Sequence, residues 1–201
     1  MTREIIAILR GIQQHEICDI ADALIDAGIT KIEVPLNSPD PFATIARLVA
    51  HAGDRALVGA GTVLDADAVE RLASIGAQMV VSPDTCAEVI KATKAAGMLS
   101  YPGVVTPTEC FAALRAGADG IKLFPAFKLG IDGLAAVKSV LPTGTKTYAV
   151  GGVGPDNFAD WQAAGITGFG IGSGIYKPGF SVEDVKTRAL KIVTAYDRIF
   201  S

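Results

Sequence analysis

Arg115-Ala116-Gly117-Ala118-Asp119-Gly120-Ile121-Lys122-Leu123-Phe124-Pro125 holds, in order, the end of a helix, a glycine stop, a short apolar strand and the proline that closes it. Glycine just past a helix end takes the left-handed backbone that terminates the helix, a conformation costly for residues with a Cβ. The arrangement recurs at Asp26-Ala27-Gly28, Ser74-Ile75-Gly76, Ala95-Ala96-Gly97 and Ala163-Ala164-Gly165, and Ala52-Gly53 and Thr143-Gly144 fill the two gaps in the series. The unit is helix, glycine stop, strand. Its period is roughly 20 to 27 residues, within the range where self-similarity reveals architecture.

Apolar runs place strands at 5–9, 31–35, 56–59, 79–82, 99–102, 120–124, 146–150 and 168–172. Helical patterns lie between them at 16–27, 42–51, 66–75, 87–96, 109–116, 130–140 and 157–164, and a longer one follows at 182–200. Several open on capping residues, among them Asp65, Thr106-Pro107-Thr108-Glu109 and Ser181-Val182-Glu183-Asp184. Eight strand–helix units without a low-complexity linker predict an α/β fold, a (β/α)8 TIM barrel, forming a single domain over residues 1–201. A doubly wound open sheet is the alternative. It fits less well, because strand one leads into Leu9-Arg10-Gly11-Ile12 with no G-x-G-x-x-G fingerprint.

Composition narrows the function classes. Half the residues are hydrophobic and the formal net charge is −3, with Lys and Arg scattered along the chain. That argues against nucleic acid or an anionic membrane as partner, so an anionic small ligand must be held locally. The first apolar run, residues 5–9, is too short for a signal peptide or a membrane span, and a cytoplasmic protein is expected. Cys18, Cys86 and Cys110 lie far apart, and His15 and His51 join no ligand-spaced cluster, so neither a disulfide set nor a bound metal is expected.

In a barrel the functional groups belong at the C-terminal ends of the strands. Those ends offer Arg10; Glu33 with Asn37; Gly59-Ala60-Gly61-Thr62; Ser82-Pro83; Pro102-Gly103; Lys122 with Phe124; Gly151-Gly152; and Gly172-Ser173-Gly174. Alternation turns Ile121 and Leu123 to one face and Lys122 and Phe124 to the other. Glu33 is flanked by Ile32 and Val34 in the same way, so with the aliphatics against the helices both charges point inward. Two readings stand: a structural ion pair or snorkelling lysine, and a buried lysine that forms an imine. The second requires burial to lower the lysine pKa, since an ordinary lysine is neutral in only about 0.04% of molecules at pH 7. Glu33 would then titrate jointly with it and move protons.

Val150-Gly151-Gly152-Val153 and Gly170-Ile171-Gly172-Ser173-Gly174 follow strands seven and eight, where barrels bind phosphate with backbone N–H groups; tight turns are the plainer reading of the same glycines. Arg10 offers a fork for a carboxylate and Thr62 a hydroxyl, though either suits a cap or a surface position as well. Phe124 walls the lysine or simply packs.

Taken together, Ile32-Glu33-Val34, Val58-Gly59-Ala60-Gly61-Thr62-Val63-Leu64, Val81-Ser82-Pro83, Ile121-Lys122-Leu123-Phe124-Pro125-Ala126 and Val150-Gly151-Gly152-Val153 resemble the class I 2-keto-3-deoxy-6-phosphosugar-acid aldolases, over nearly the whole chain. The resemblance implies a homotrimer of barrels working without metal or cofactor. It matches Lys122 to the Schiff-base lysine, Glu33 to the general acid/base, and Thr62, Pro83, Phe124, Gly151, Gly152, Gly172 and Ser173 to substrate contacts. One departure is informative. Gluconate-type members carry Glu-Val-Thr-Leu-Arg-Thr, whose arginine binds the carboxylate, where this chain reads Glu33-Val34-Pro35-Leu36-Asn37-Ser38. An arginine stands instead in Ile8-Leu9-Arg10-Gly11, and Val150 replaces a threonine before Gly-Gly. All three differences, at Asn37, Arg10 and Val150, agree with a resemblance to the 2-dehydro-3-deoxy-6-phosphogalactonate aldolases, which implies cleavage of that sugar acid to pyruvate and D-glyceraldehyde 3-phosphate. The alternatives are the gluconate C4 epimer, 4-hydroxy-2-oxoglutarate, or a phosphate-binding barrel that isomerises or senses its ligand without an imine.

Overall fold

A computed structural model describes residues 3–200. Its strands are β1 (Ile5–Ile8), β2 (Lys31–Pro35), β3 (Leu57–Gly61), β4 (Met79–Val81), β5 (Leu99–Tyr101), β6 (Gly103–Val104), β7 (Ile121–Leu123), β8 (Thr147–Val150) and β9 (Gly168–Ile171). The helices are α1 (Ile17–Asp26), α2 (Pro41–Ala52), α3 (Ala66–Ser74), α4 (Ala87–Ala95), α5 (Pro107–Ala116), α6 (Ala126–Lys138), α7 (Phe158–Ala163) and α8 (Val182–Phe200), with a 3-10 turn at Gly53–Arg55. All eight pairings are parallel, in the order β5-β4-β3-β2-β1-β9-β8-β7-β6. The two ends of that order, β5 and β6, are consecutive in the chain, so the chain itself closes the barrel.

The expected eightfold pattern holds, with element ends within two residues of the expected bounds except at the sixth helix, and with the fifth strand divided. The fifth strand is split at Pro102, which has no N–H to donate. Its carbonyl instead accepts from Lys122 N at 2.8 Å, and pairing with β7 resumes at Gly103 and Val104, beyond the expected end at 102. The third strand runs to Gly61 rather than to 59. The sixth helical segment, Ala126–Lys138, is two helices meeting at a kink: Gly130 (φ 71°, ψ 177°) is non-helical, the expected helix follows it, and a short helical turn from Ala126 precedes it.

The seven glycines named as stops all have positive φ, from 52° to 101°. The expected caps are also in place. Asp65 accepts from Ala68 N at 2.7 Å, Thr106 and Glu109 form a reciprocal capping box, and Ser181 accepts from Asp184 N at 3.1 Å.

Alternation along the strands sorts side chains into two cores. Ile32, Val34, Ile121 and Leu123 pack in the large outer core against the helices. Fully burying aliphatics such as Ile121 and Leu123 contributes about 2 kcal/mol each as an upper estimate. Ile6, Met79, Val81, Tyr101 and Tyr148 form a second core inside the barrel. Glu33 and Lys122, of opposite parity to their aliphatic neighbours, therefore face inward. Below them, Tyr148 donates to the Glu4 carboxylate at 2.7 Å, Lys31 ion-pairs with the same carboxylate, and the Tyr101 and Tyr148 rings meet edge to face at 5.2 Å. This plug closes the N-terminal end. No helix among the described residues is long and apolar enough to cross a membrane.

Candidate active site

The strand that carries Lys122 is apolar on its other face, which fixes the strand's roll and drives the lysine inward. Its side chain is only 7% exposed, and Glu33, on the second strand of the barrel, is 3% exposed. Both line one small chamber with Ile6, Val81, Tyr101 and Tyr148; its volume is about 10 Å³, room for no more than about one water. The two charges make no direct ion pair with each other. Glu33 Oε2 is buried without a hydrogen-bond partner, and Lys122 Nζ lies 4.8 Å from the centre of the Phe124 ring.

Space for the Glu33 carboxylate comes from a glycine. A Cβ on Gly61 would stand 1.6 Å from Glu33 Oε2, well inside contact distance. Gly59, one inward position earlier, likewise makes room for Met79, whose Cγ would lie 2.3 Å from its added Cβ. β3 thus turns two glycines to the barrel interior.

Electrostatics follow from burial. Loss of water raises the Glu33 carboxyl to about 7, against the opposing pull of Lys122 and Arg10. Burial likewise lowers Lys122 to about 8; Glu33 and Asp84 oppose the shift, and Arg10 adds to it. At pH 7 such a lysine is neutral in about a tenth of molecules, on the order of 10²-fold more than an ordinary lysine. Such burial favours a neutral amine, the form that can act as a nucleophile, and sets beside it a carboxyl whose value is raised toward neutrality.

The chamber opens upward into a cavity of about 500 Å³, and Ile8, Val150 and Gly170 are common to the walls of both. Phe124, Val150, Gly151, Gly152, Gly172, Ser173 and Arg10 all line the larger cavity. Gly151 and Gly152 have φ of 93° and 75°, the left-handed region that brings backbone close to a ligand. Arg10 Nη1 donates to Asn37 Oδ1, so two of the three residues that depart from the gluconate-type pattern hold each other at the rim. Thr62 and Pro83 follow β3 and β4, outside the walls of these two cavities. Thr62 has a φ of 56°, an uncommon backbone for a β-branched residue and a mark of local strain at the rim of the site.

Tyr101 and Tyr148 escaped the sequence reading, and Gly61 figured in it only as part of the glycine-rich end of the third strand. Tyr148 was within reach of it, since alternation puts it on the same face as Val150. Gly61's service to Glu33 was not legible, because it depends on the separation of two neighbouring strands. Lys177, on the loop after β9, also lines the larger cavity and has no sequence signature of its own. Among the described residues there is no group of three or more His, Cys, Asp or Glu able to hold a metal ion.

Comparison with known proteins agrees with this chemistry. The family model of KDPG and KHG aldolases matches residues 1–188. The probable 2-dehydro-3-deoxy-6-phosphogalactonate aldolase of Rhizobium meliloti (strain 1021) is 50% identical over 200 residues, covering 100% of this chain and 94% of that protein. The 2-dehydro-3-deoxy-6-phosphogalactonate aldolase of Escherichia coli (strain K12) is 45% identical, covering 96% and 94%. A solved structure described as native KDPGal superposes with a TM-score of 0.97 at 44% identity, covering 99% of this chain and 97% of that one. A parallel barrel with a buried lysine and glutamate under a glycine-walled cavity, and a family match over most of the sequence, lead to one conclusion: the chain belongs to the KDPG and KHG aldolase family.

Proposed function

We propose that this aldolase cleaves 2-dehydro-3-deoxy-6-phospho-D-galactonate to pyruvate and D-glyceraldehyde 3-phosphate through an imine on Lys122. The observation that carries the reading is a single lysine, lowered to about 8 by burial, sharing a nearly dry chamber with Glu33 at the base of a cavity of about 500 Å³. The neutral amine attacks the C2 ketone, and the carbinolamine loses water to give a protonated imine. Glu33 carries the protons of that step through the one water the chamber accommodates. The imine cation withdraws electrons, so when Glu33 takes the C4 hydroxyl proton the C3–C4 bond breaks. Its electron pair goes into an enamine, and the aldehyde leaves. Protonation at C3 and hydrolysis release pyruvate and restore the lysine.

Arg10, oriented by Asn37, and Thr62 take the C1 carboxylate. Pro83 and Phe124 wall the reacting carbons, and the backbone at Gly151, Gly152, Gly172 and Ser173 takes the phosphate. The phosphate positions the scissile bond and takes no part in breaking it. Val150, in the wall common to both cavities, presents methyls where a hydroxyl would otherwise meet the C4 region. Two close relatives carry the galactonate name, and this chain pairs Arg10 with Asn37. Both favour the galactonate epimer over the gluconate one.

The working enzyme is a homotrimer in the cytoplasm. A phosphorylated sugar acid is charged and does not cross membranes unaided. Leu64 and Phe127, 56% and 63% exposed at the C-terminal end of the barrel, are apolar groups that a subunit contact would cover. Cleavage of the two C4 epimers, followed by pyruvate release, tests the substrate. The galactonate epimer is expected to be preferred. Equal or greater cleavage of the gluconate epimer removes the role given to Arg10, Asn37 and Val150, and no pyruvate from either removes the reaction.

A further inference from the structure

Among the described residues lining the large cavity, two carry a charge, Arg10 and Lys177, and none is an acid. They stand at neighbouring points of the rim: Gly11 and Pro178, the residues next to each, approach so closely that a Cβ on Gly11 would lie 2.9 Å from Pro178 Cγ. Their surroundings differ. Arg10 is tethered to Asn37, toward β2, whereas Lys177 makes no side-chain hydrogen bond or ion pair among the described residues.

The backbone that presents Lys177 is nevertheless fixed. Ile175 N and Tyr176 N both donate to Gly172 O, at 2.9 and 3.0 Å, and Phe180 N donates to Lys177 O at 3.0 Å. Ile175 and Tyr176 are buried, at 0% and 2% exposure, and the Tyr176 hydroxyl donates to Glu16 at 3.3 Å. A lysine with no ion-pair partner among the described residues is thus presented by an ordered loop shortly after Gly172 and Ser173. A cavity with unopposed positive charge at that position is built for an anion, and an ammonium on a flexible stem suits a phosphate approached as a point charge.

We propose that Lys177 pairs with the substrate phosphate and is a specificity-determining residue that makes the site prefer phosphorylated over unphosphorylated 2-keto-3-deoxy sugar acids. This rests on the aldolase reading above. It adds a side-chain cation to a subsite otherwise made of backbone, and separates the two anionic ends of the substrate: the carboxylate to the tethered Arg10, the phosphate to the free Lys177.

The test compares kcat/KM for the phosphorylated sugar acid and its unphosphorylated counterpart in the parent and in Lys177→Gln, Lys177→Arg and Lys177→Glu. Lys177→Gln is expected to lower kcat/KM about tenfold on the phosphorylated substrate, chiefly through KM, the loss one charge-assisted hydrogen bond at an open site supports. Activity on the unphosphorylated substrate should stay constant, Lys177→Arg should recover most of the loss and Lys177→Glu should deepen it. An equal loss on both substrates, or no loss on either, overturns the proposal. Calorimetric binding of glycerol 3-phosphate reads the same contact without any bond cleavage. Its Kd should weaken about tenfold in Lys177→Gln, and an unchanged Kd overturns the proposal even if the parent protein releases no pyruvate and the aldolase reading has failed separately.

Discussion

Glu33 and Lys122 define each other's protonation. Each is pushed toward its neutral form by burial and pulled back toward its charged form by the other, which leaves their values near 7 and 8. Both inward orientations were legible from parity alone, because each charge sits between aliphatics in a strand. The shared chamber was not, since it depends on the width of the barrel and on the tyrosines beneath. Burial also has a consequence for stability. The folded value of Glu33, about 7, lies above its ordinary 4.5, so between those pH values the folded chain holds a proton that the unfolded chain releases. The stabilising contribution of this group is therefore fully present below about pH 4.5 and is lost as pH rises through about 7. Glu33→Gln removes this group's contribution and, by taking away the carboxylate that opposes the shift, lowers Lys122 further, a change of the same sign over this range. From pH 4.5 to pH 8 the variant should gain about 3 kcal/mol of unfolding free energy relative to the parent, as measured by urea titration at both pH values. A constant difference would mean that the carboxyl is not perturbed.

β3 and β9 shape the barrel interior through the side chains they lack. β3 turns Gly59 and Gly61 inward, giving room to Met79 and Glu33, and β9 turns Gly168 and Gly170 inward, where added Cβ atoms would meet Glu4, Tyr148 and Val150 at under 3.0 Å. Gly61→Ala places a methyl on the Glu33 carboxylate and should lower kcat by about 10²-fold through displacement of the proton carrier, with the far-UV circular dichroism unchanged. Retention of full kcat would show that Glu33 can work from another rotamer. Helix ends are simpler. Thr106→Ala removes one half of a capping box and should cost about 1 kcal/mol in thermal or urea unfolding, with activity intact. These ends were legible because glycine stops and capping residues act through their immediate neighbours. The break at Pro102 and the helical turn before Gly130 were harder to read. Pro102 ends one ladder while the adjacent Gly103 starts another, and Gly130 is the boundary the sequence marks, with an additional turn from Ala126 in front of it.

The barrel as a whole is closed by chain continuity through Pro102, plugged at its lower end by Glu4, Lys31 and Tyr148, and open above Lys122. Repeat spacing revealed this architecture because each unit must bury its own strand against its own helix. The split of the interior into a dry chamber and an open cavity arises only when all the strands are assembled. The trimer that the family resemblance implies, in which exposed Leu64 and Phe127 would be covered, should return three times the mass of the chain in sedimentation equilibrium; a monomer mass would contradict it. Everything proposed for the reaction depends on one nitrogen being an accessible, partly neutral amine. Incubation with pyruvate and cyanoborohydride over a range of pH, followed by peptide mapping, measures this directly. The prediction is a single reduced adduct on Lys122, whose rate of formation rises with a midpoint near pH 8. Labelling of a different lysine, or no adduct at any pH, would contradict it.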